Sequence, residues 1–172
     1  MTEQSGKWLP ISSTKERAVN DRAVITPHLG YEDPSASIDW LCRVFGFRQR
    51  LRMDRDDGNV TAQLEGPDGG VVMVSGISDD FKNWMRERAP EFREPTDRGW
   101  PYLSHTISVI VQDVDAHHHR AAEQGATILT VPRDQPWGLR SYAALDLEGH
   151  QWEFNHPVRE VTPESWGAIR EE

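Results

Sequence analysis

The 172-residue chain has one cysteine, Cys42, so it can close no disulfide within itself and build no thiolate metal cluster. It has no apolar run of the length a membrane helix needs. Its first twenty residues, MTEQSGKWLPISSTKERAVN, lack the apolar stretch of a signal peptide. It also lacks a basic excess: 19 Lys and Arg stand against 28 Asp and Glu, a formal net charge of −9. That balance argues against nucleic acid or an anionic membrane surface as partner. These absences point to a cytoplasmic protein, of a length that suits one domain or two small modules sharing a core.

What is there is a repeat. After a polar extension over residues 1–22, residues 24–31 read as a strand. Asp33 then offers a side-chain cap, and Pro34 tolerates the first helical position. Ile38, Leu41, Cys42 and Phe45 recur at i, i+3, i+4 and i+7, the stripe of an amphipathic helix that Gly46 ends. Strands follow near 48–54, 59–65 and 70–75, the last two joined by Gly66-Pro67-Asp68-Gly69. Residues 105–125, HTISVIVQDVDAHHHRAAEQG, repeat the strand, the Asp-initiated helix and the terminal Gly, and the strand-forming pieces ATILTV, SYAALD and HQWEFN come after. Gly46 and Gly125, like Gly70 and Gly149, stand 79 residues apart. The pattern predicts an α+β chain of two tandem βαβββ modules, 23–76 and 103–158. Residues 77–102 between them form a linker or lid, with a short helix from Asp79 or Asp80 through Arg88 that carries Phe81, Trp84 and Met85 on one face. The tail, 159–172, has a Thr162-Pro163 helix start and Trp166 to dock it.

The stretches YEDPSASIDWLCRVFGF, VIVQDVDAHHHRAAEQGA and DLEGHQWEF, in this order and spacing, resemble the vicinal oxygen chelate superfamily, which includes glyoxalase I, bleomycin-resistance proteins and extradiol dioxygenases. The resemblance implies curled mixed sheets around a cup-shaped site, and a homodimer. It also implies metal-ligand positions on the first and fourth strands of each module: Thr26, Val74, His105 and Glu153 here, again 79 apart in pairs, while aligning Asp33 with Asp113 instead puts Thr106 in place of His105. Thr26 and Val74 are not metal donors, so half of such a site is eroded. His28, two residues beyond Thr26 on the same strand face, adds a second imidazole. His28, His105 and Glu153 together suit Fe, Mn, Ni or Zn; the alternative is no metal at all.

Strand alternation adds a lining. Trp152 and Phe154 share one face, so Gln151, Glu153 and Asn155 share the other. Thr26, His28, Val72 and Val74 would make an apolar wall, and His105, Gln151, Glu153 and Asn155 a polar one, which suits a small amphipathic or aromatic ligand. Trp137, Arg140 and Tyr142 fall near the expected mouth, and Trp100 is placed to close a lid. His150 is read as turn packing. Consecutive helix residues point about 100° apart, so His117-His118-His119 cannot converge on an ion and reads as a solvated face with His118 half buried. Three functions stay open: a metal-independent binder, a divalent-metal lyase, isomerase or dioxygenase using His105 and Glu153, and a metal-free enzyme in which those two residues do acid–base work.

Overall fold

The computed structural model describes residues 25–56, 58–88 and 105–169; the polar extension and Trp100 lie outside the described residues. The first module runs β1 (His28–Tyr31), α1 (Pro34–Phe45), β2 (Arg48–Asp54), β3 (Val60–Glu65) and β4 (Val71–Gly76). Helix α2 (Asp79–Arg88) follows. The second module runs β5 (Ile107–Ile110), α3 (Val114–Glu123), β6 (Thr127–Asp134), β7 (Leu139–Leu145) and β8 (Gln151–Pro157), and a 3₁₀ turn, Pro163–Trp166, comes after it. Each module makes one four-stranded mixed sheet, in the orders β1-β4-β3-β2 and β5-β8-β7-β6. β1 is parallel to β4 and β5 to β8, while the other neighbours are antiparallel. The first strand is shorter than its apolar pattern because Pro27 has no N–H to give; only its carbonyl joins the ladder, accepting from Met73 N at 2.8 Å.

Local chemistry sets the helix ends. Asp33 and Asp113 each cap their helix, accepting from Ala36 N at 3.0 Å and from Ala116 N at 2.9 Å. Gly46 ends α1 in the left-handed region at φ 73°, and a Cβ there would stand 2.9 Å from the Arg120 guanidinium. The stripe Ile38, Leu41, Phe45 is fully buried, joined by Val44.

The modules meet through their helix-bearing sides. α1 lies on α3, and Phe45 and Phe47 at its end reach the second sheet, with ring centres 5.8 Å and 5.2 Å from Trp152. Phe45 also sits 4.8 Å from Phe154. The second module satisfies both ends of α1, where helices leave backbone groups without internal partners. The Glu148 carboxylate accepts from Glu32 N at 2.7 Å and Asp33 N at 3.0 Å. At the other end, Arg120 donates to Val44 O at 3.4 Å and His117 to Phe45 O at 3.1 Å. A weaker mirror image joins Gln112 to Asp68 at 3.2 Å. No strand of one module lies against a strand of the other among the described residues. The layering is thus sheet, helices, sheet, and the faces opposite the helices turn outward.

Glu148 therefore acts as an N-terminal cap lent by another module. Replacing it with Ala should cost about 1 kcal/mol, the usual value of a lost cap. A lower urea midpoint with an unchanged m-value would show this; an unmoved midpoint would mean that water replaces it without loss.

Candidate functional site

The equivalent turn bonds and helix caps of the two modules stand 80 residues apart rather than 79. Asp33 matches Asp113, and the β3–β4 turn, bonded Gly66 N to Gly70 O and Gly69 N to Gly66 O, matches the β7–β8 turn, bonded Asp146 N to His150 O and Gly149 N to Asp146 O. Gly69 (φ 95°), not Gly70, is thus the partner of Gly149 (φ 92°), and the double glycine hides the one-residue shift in the sequence. α1 is also the longer helix, 12 residues against 10, which displaces Gly46 from the true equivalent of Gly125.

One residue moves a strand position to the other face. Glu153 therefore corresponds to Met73, and His105 to Ile25. Val74 and Val72 lie on the helix side, 0% and 4% exposed, in the core with Leu64 and Ile38; neither lines the outward face. Thr26 precedes β1 and is half buried.

On the outward face of the first sheet His28 pairs in register with Met73 and Gly30 with Ser75, beside Thr61 and Gln63. His28 Nε2 lies 2.9 Å from Ser75 Oγ. On the second sheet Ser108 pairs with Glu153 and Ile110 with Asn155, and Ser141 and Ala143 lie alongside on β7. Asn155 is 1% exposed and fully engaged. It accepts from Ser141 Oγ and donates to Ser108 Oγ at 2.8 Å and to Glu153 Oε2 at 3.3 Å. The amide steadies the half-buried Glu153 carboxylate from one side, and no ion pair to Glu153 exists among the described residues. Gln151 enters β8 on this same face, opposite Leu145.

Other expected site residues lie elsewhere. Arg140 points to the helix side, where it forks to Asp115 at 2.8 Å and Asp134 at 2.9 Å. Tyr142 is buried in the core, its hydroxyl 2.6 Å from His117 Nδ1 and its ring stacked on Phe154 at 5.2 Å. Trp137 stands half exposed in the β6–β7 hairpin, edge-on to Trp166 at 6.4 Å, and so docks the tail. Register aligns Ser108 with Glu153, so His105 stands three residues, about 10 Å of extended chain, ahead of that pair. The His105 ring is 6.4 Å from the His150 ring.

Two buried polar groups were not singled out from the sequence. His117 is 4% exposed, not part of a solvated face. Its signal was available: Val114, His117 and Ala121 form the buried stripe of α3. Phe45 O can only accept, so His117 carries its proton on Nε2 and accepts a hydrogen bond from the Tyr142 hydroxyl at Nδ1. Burial pushes the His117 imidazole down to about 4, against the raising effect of its bond to Phe45 O. Asp146, 5% exposed, accepts from Tyr31 OH at 2.6 Å and Trp152 Nε1 at 3.0 Å. Burial alone would raise its carboxyl, but bonds from His150, Tyr31 and Trp152 hold it below the usual carboxylate range.

Residues 23–154 match the sequence profile described as Glyoxalase/Bleomycin resistance protein/Dioxygenase superfamily. The chain belongs to that superfamily. It is 31% identical over 149 residues to uncharacterized proteins of Mycobacterium bovis and Mycobacterium tuberculosis, an alignment covering 84% of this chain and 90% and 80% of theirs. Among solved structures it is similar to TioX from Micromonospora sp. ML1, with 34% identity over 81% of this chain and all of that one, and a TM-score of 0.57. A superfamily enzyme from Burkholderia phytofirmans shares the fold at 16% identity and TM-score 0.55, covering 76% of this chain and 95% of that one.

The superfamily's metal-dependent members raise the question whether this donor set would hold an ion. The paired outward positions supply His28, Met73, Ser108 and Glu153, split between two sheets that face opposite ways. No three His, Cys, Asp or Glu side chains among the described residues are grouped to hold an ion. Within one chain these residues do not fit the superfamily's metal. No helix among the described residues is long and apolar enough to cross a membrane.

Proposed function

We propose that this superfamily member is a small-molecule binding protein whose ligand, amphipathic or aromatic, rests on the outward faces of the curled sheets without a resident metal. The observation that carries the reading is Glu153: a half-buried carboxylate, steadied by Asn155 and without an ion pair among the described residues, on a face otherwise lined by hydroxyl, amide and small apolar groups. A carboxylate so placed favours a cation or a strong hydrogen-bond donor on the ligand. The face of the first sheet, with Met73, Leu51 and Met53, offers the apolar complement. The outward turn of both faces supports a homodimer in which a second copy brings the first-module face against the second-module face. Ile110 at 44% exposure and Met53 at 51% would be covered there.

Isothermal titration with proflavine, a planar aromatic cation, and acridone, a neutral planar analogue, tests the reading. It predicts saturable binding of proflavine at about one per chain, with acridone weaker by tenfold or more. No binding of either, or equal binding of both, would count against it. Light scattering of the eluting protein should give twice the 19.6 kDa chain mass; a monomer that still binds proflavine would remove the dimer from the account.

A further inference from the structure

The edge strands β2 and β6 answer each other as far as Thr130 and then part. Leu51 pairs with Gln63 and Met53 with Thr61, a regular step of two on each strand. In the second module Thr130 pairs with Ala143, but the next partner, that of Ser141, is Arg133. One extra residue on β6 thus carries the spacing of the modules from 79, Leu51 to Thr130, to 80, Met53 to Arg133. Local chemistry holds the bulge. Thr130 Oγ1 accepts from Ala143 N at 2.9 Å where the ladder breaks, and Pro132 has no N–H to offer.

A bulge re-aims the side chains beyond it. This one sets Arg133 on the outward face opposite Ser141, where the first sheet has Met53. Its neighbour Asp134 turns to the helix side and pairs with Arg140. Pro132 and a bulge also keep an edge strand from pairing, but that task does not decide which face the next side chain takes. Arg133 is exposed and makes no ion pair among the described residues. Glu153 is the other charged side chain that register places on this face. Two strand spacings and two residues of rise separate the pair, about 12 Å between Cα atoms, too far for a direct bond. The floor between them is low: Ala143 and Ser141 stand where the first sheet has Gln63 and Thr61. Both charged side chains rise from it, so opposite charges about 7–10 Å apart on a ligand lying across the floor would meet them.

We infer that Arg133 is the second specificity residue of this face and that the ligand is a zwitterion, its cation on Glu153 and a carboxylate on Arg133. The guanidinium fork matches a carboxylate with two parallel N–H donors. The inference rests on the reading that Glu153 meets the ligand's cation, and it adds the far end of the same site. The face of one chain is enough for it.

The test is calorimetric titration with 4-amidinobiphenyl, a cation, and 4′-amidinobiphenyl-4-carboxylate, its zwitterion with the charges at opposite ends. Wild type should bind the zwitterion about fivefold or more tighter than the cation. Arg133→Gln should bring that ratio to about one, and Arg133→Lys should keep part of it, because a point charge replaces the fork. Arg55→Gln, at an exposed arginine of the first module, makes the same change in net charge and should keep the wild-type ratio. Glu153→Gln should weaken both probes and keep the zwitterion the tighter of the two. Equal affinities in wild type, a ratio that survives Arg133→Gln, or one that Arg55→Gln abolishes would overturn the inference while proflavine binding stands. No binding of proflavine or of either biphenyl would instead remove the reading of Glu153, and this inference with it.

Discussion

Between pH 6.5 and pH 4 the protein should lose on the order of 3 kcal/mol of stability through one side chain, His117. The folded imidazole titrates at about 4, below the ordinary value of 6.5. Across that window the unfolded chain takes up the proton before the folded one does. Stability is therefore complete above pH 6.5, falls as pH drops, and stops falling from this cause below about 4. Protonation would put a second N–H where Tyr142 OH now donates, in a site walled by Phe45 and Phe154. Asp146 and Asp115, whose carboxyls are held low, add losses of the same sign, but only at more acid pH. Urea unfolding at several pH values should thus show a slope that His117→Gln flattens. A wild-type slope that persists in the variant would place the titrating group elsewhere. Because His117 bridges α3 of one module to the end of α1 of the other, the acid transition should loosen the two modules together.

Glu153→Gln should weaken proflavine binding about 10- to 100-fold, or 1.4–2.7 kcal/mol, with little change in unfolding midpoint. The estimate is smaller than for a fully buried ion pair because the carboxylate is half exposed and salt screens it in part. Gln keeps the shape and still accepts from Asn155, so the loss isolates the charge. Raising ionic strength should reduce the wild-type affinity toward that of the variant. Equal affinity for both proteins would show that the ligand does not meet Glu153.

The parts of this fold that the sequence disclosed are those decided locally. Asp33-Pro34 and Asp113 mark helix starts because a carboxylate one turn from free amides acts over three residues. The apolar stripe of α1 and the strand at 48–54 follow from periodicity, and α2 runs Asp79–Arg88 as its charges and apolar face imply. The register was not legible to within one residue. Two adjacent glycines, Gly69 and Gly70, both at positive φ, accept either alignment, and that single step exchanges Val74 for Met73 as the partner of Glu153. Partners distant in sequence were also hidden. Nothing near Asp146 announces Tyr31, 115 residues away, nor does Arg140 show that Asp115 will claim it. Glu153 and Asn155 on the face opposite Trp152 and Phe154 were legible, because alternation in a strand is a local rule.

On the proposed reading the outward face binds its ligand through Glu153 with no metal in between. The most direct measurement is proflavine titration of untagged wild-type protein before and after exhaustive chelation, with metal content read by mass spectrometry. The affinity should be the same in both samples. An affinity that falls with the metal and returns when Fe, Mn, Ni or Zn is restored would contradict it, and would make Glu153 a metal ligand instead.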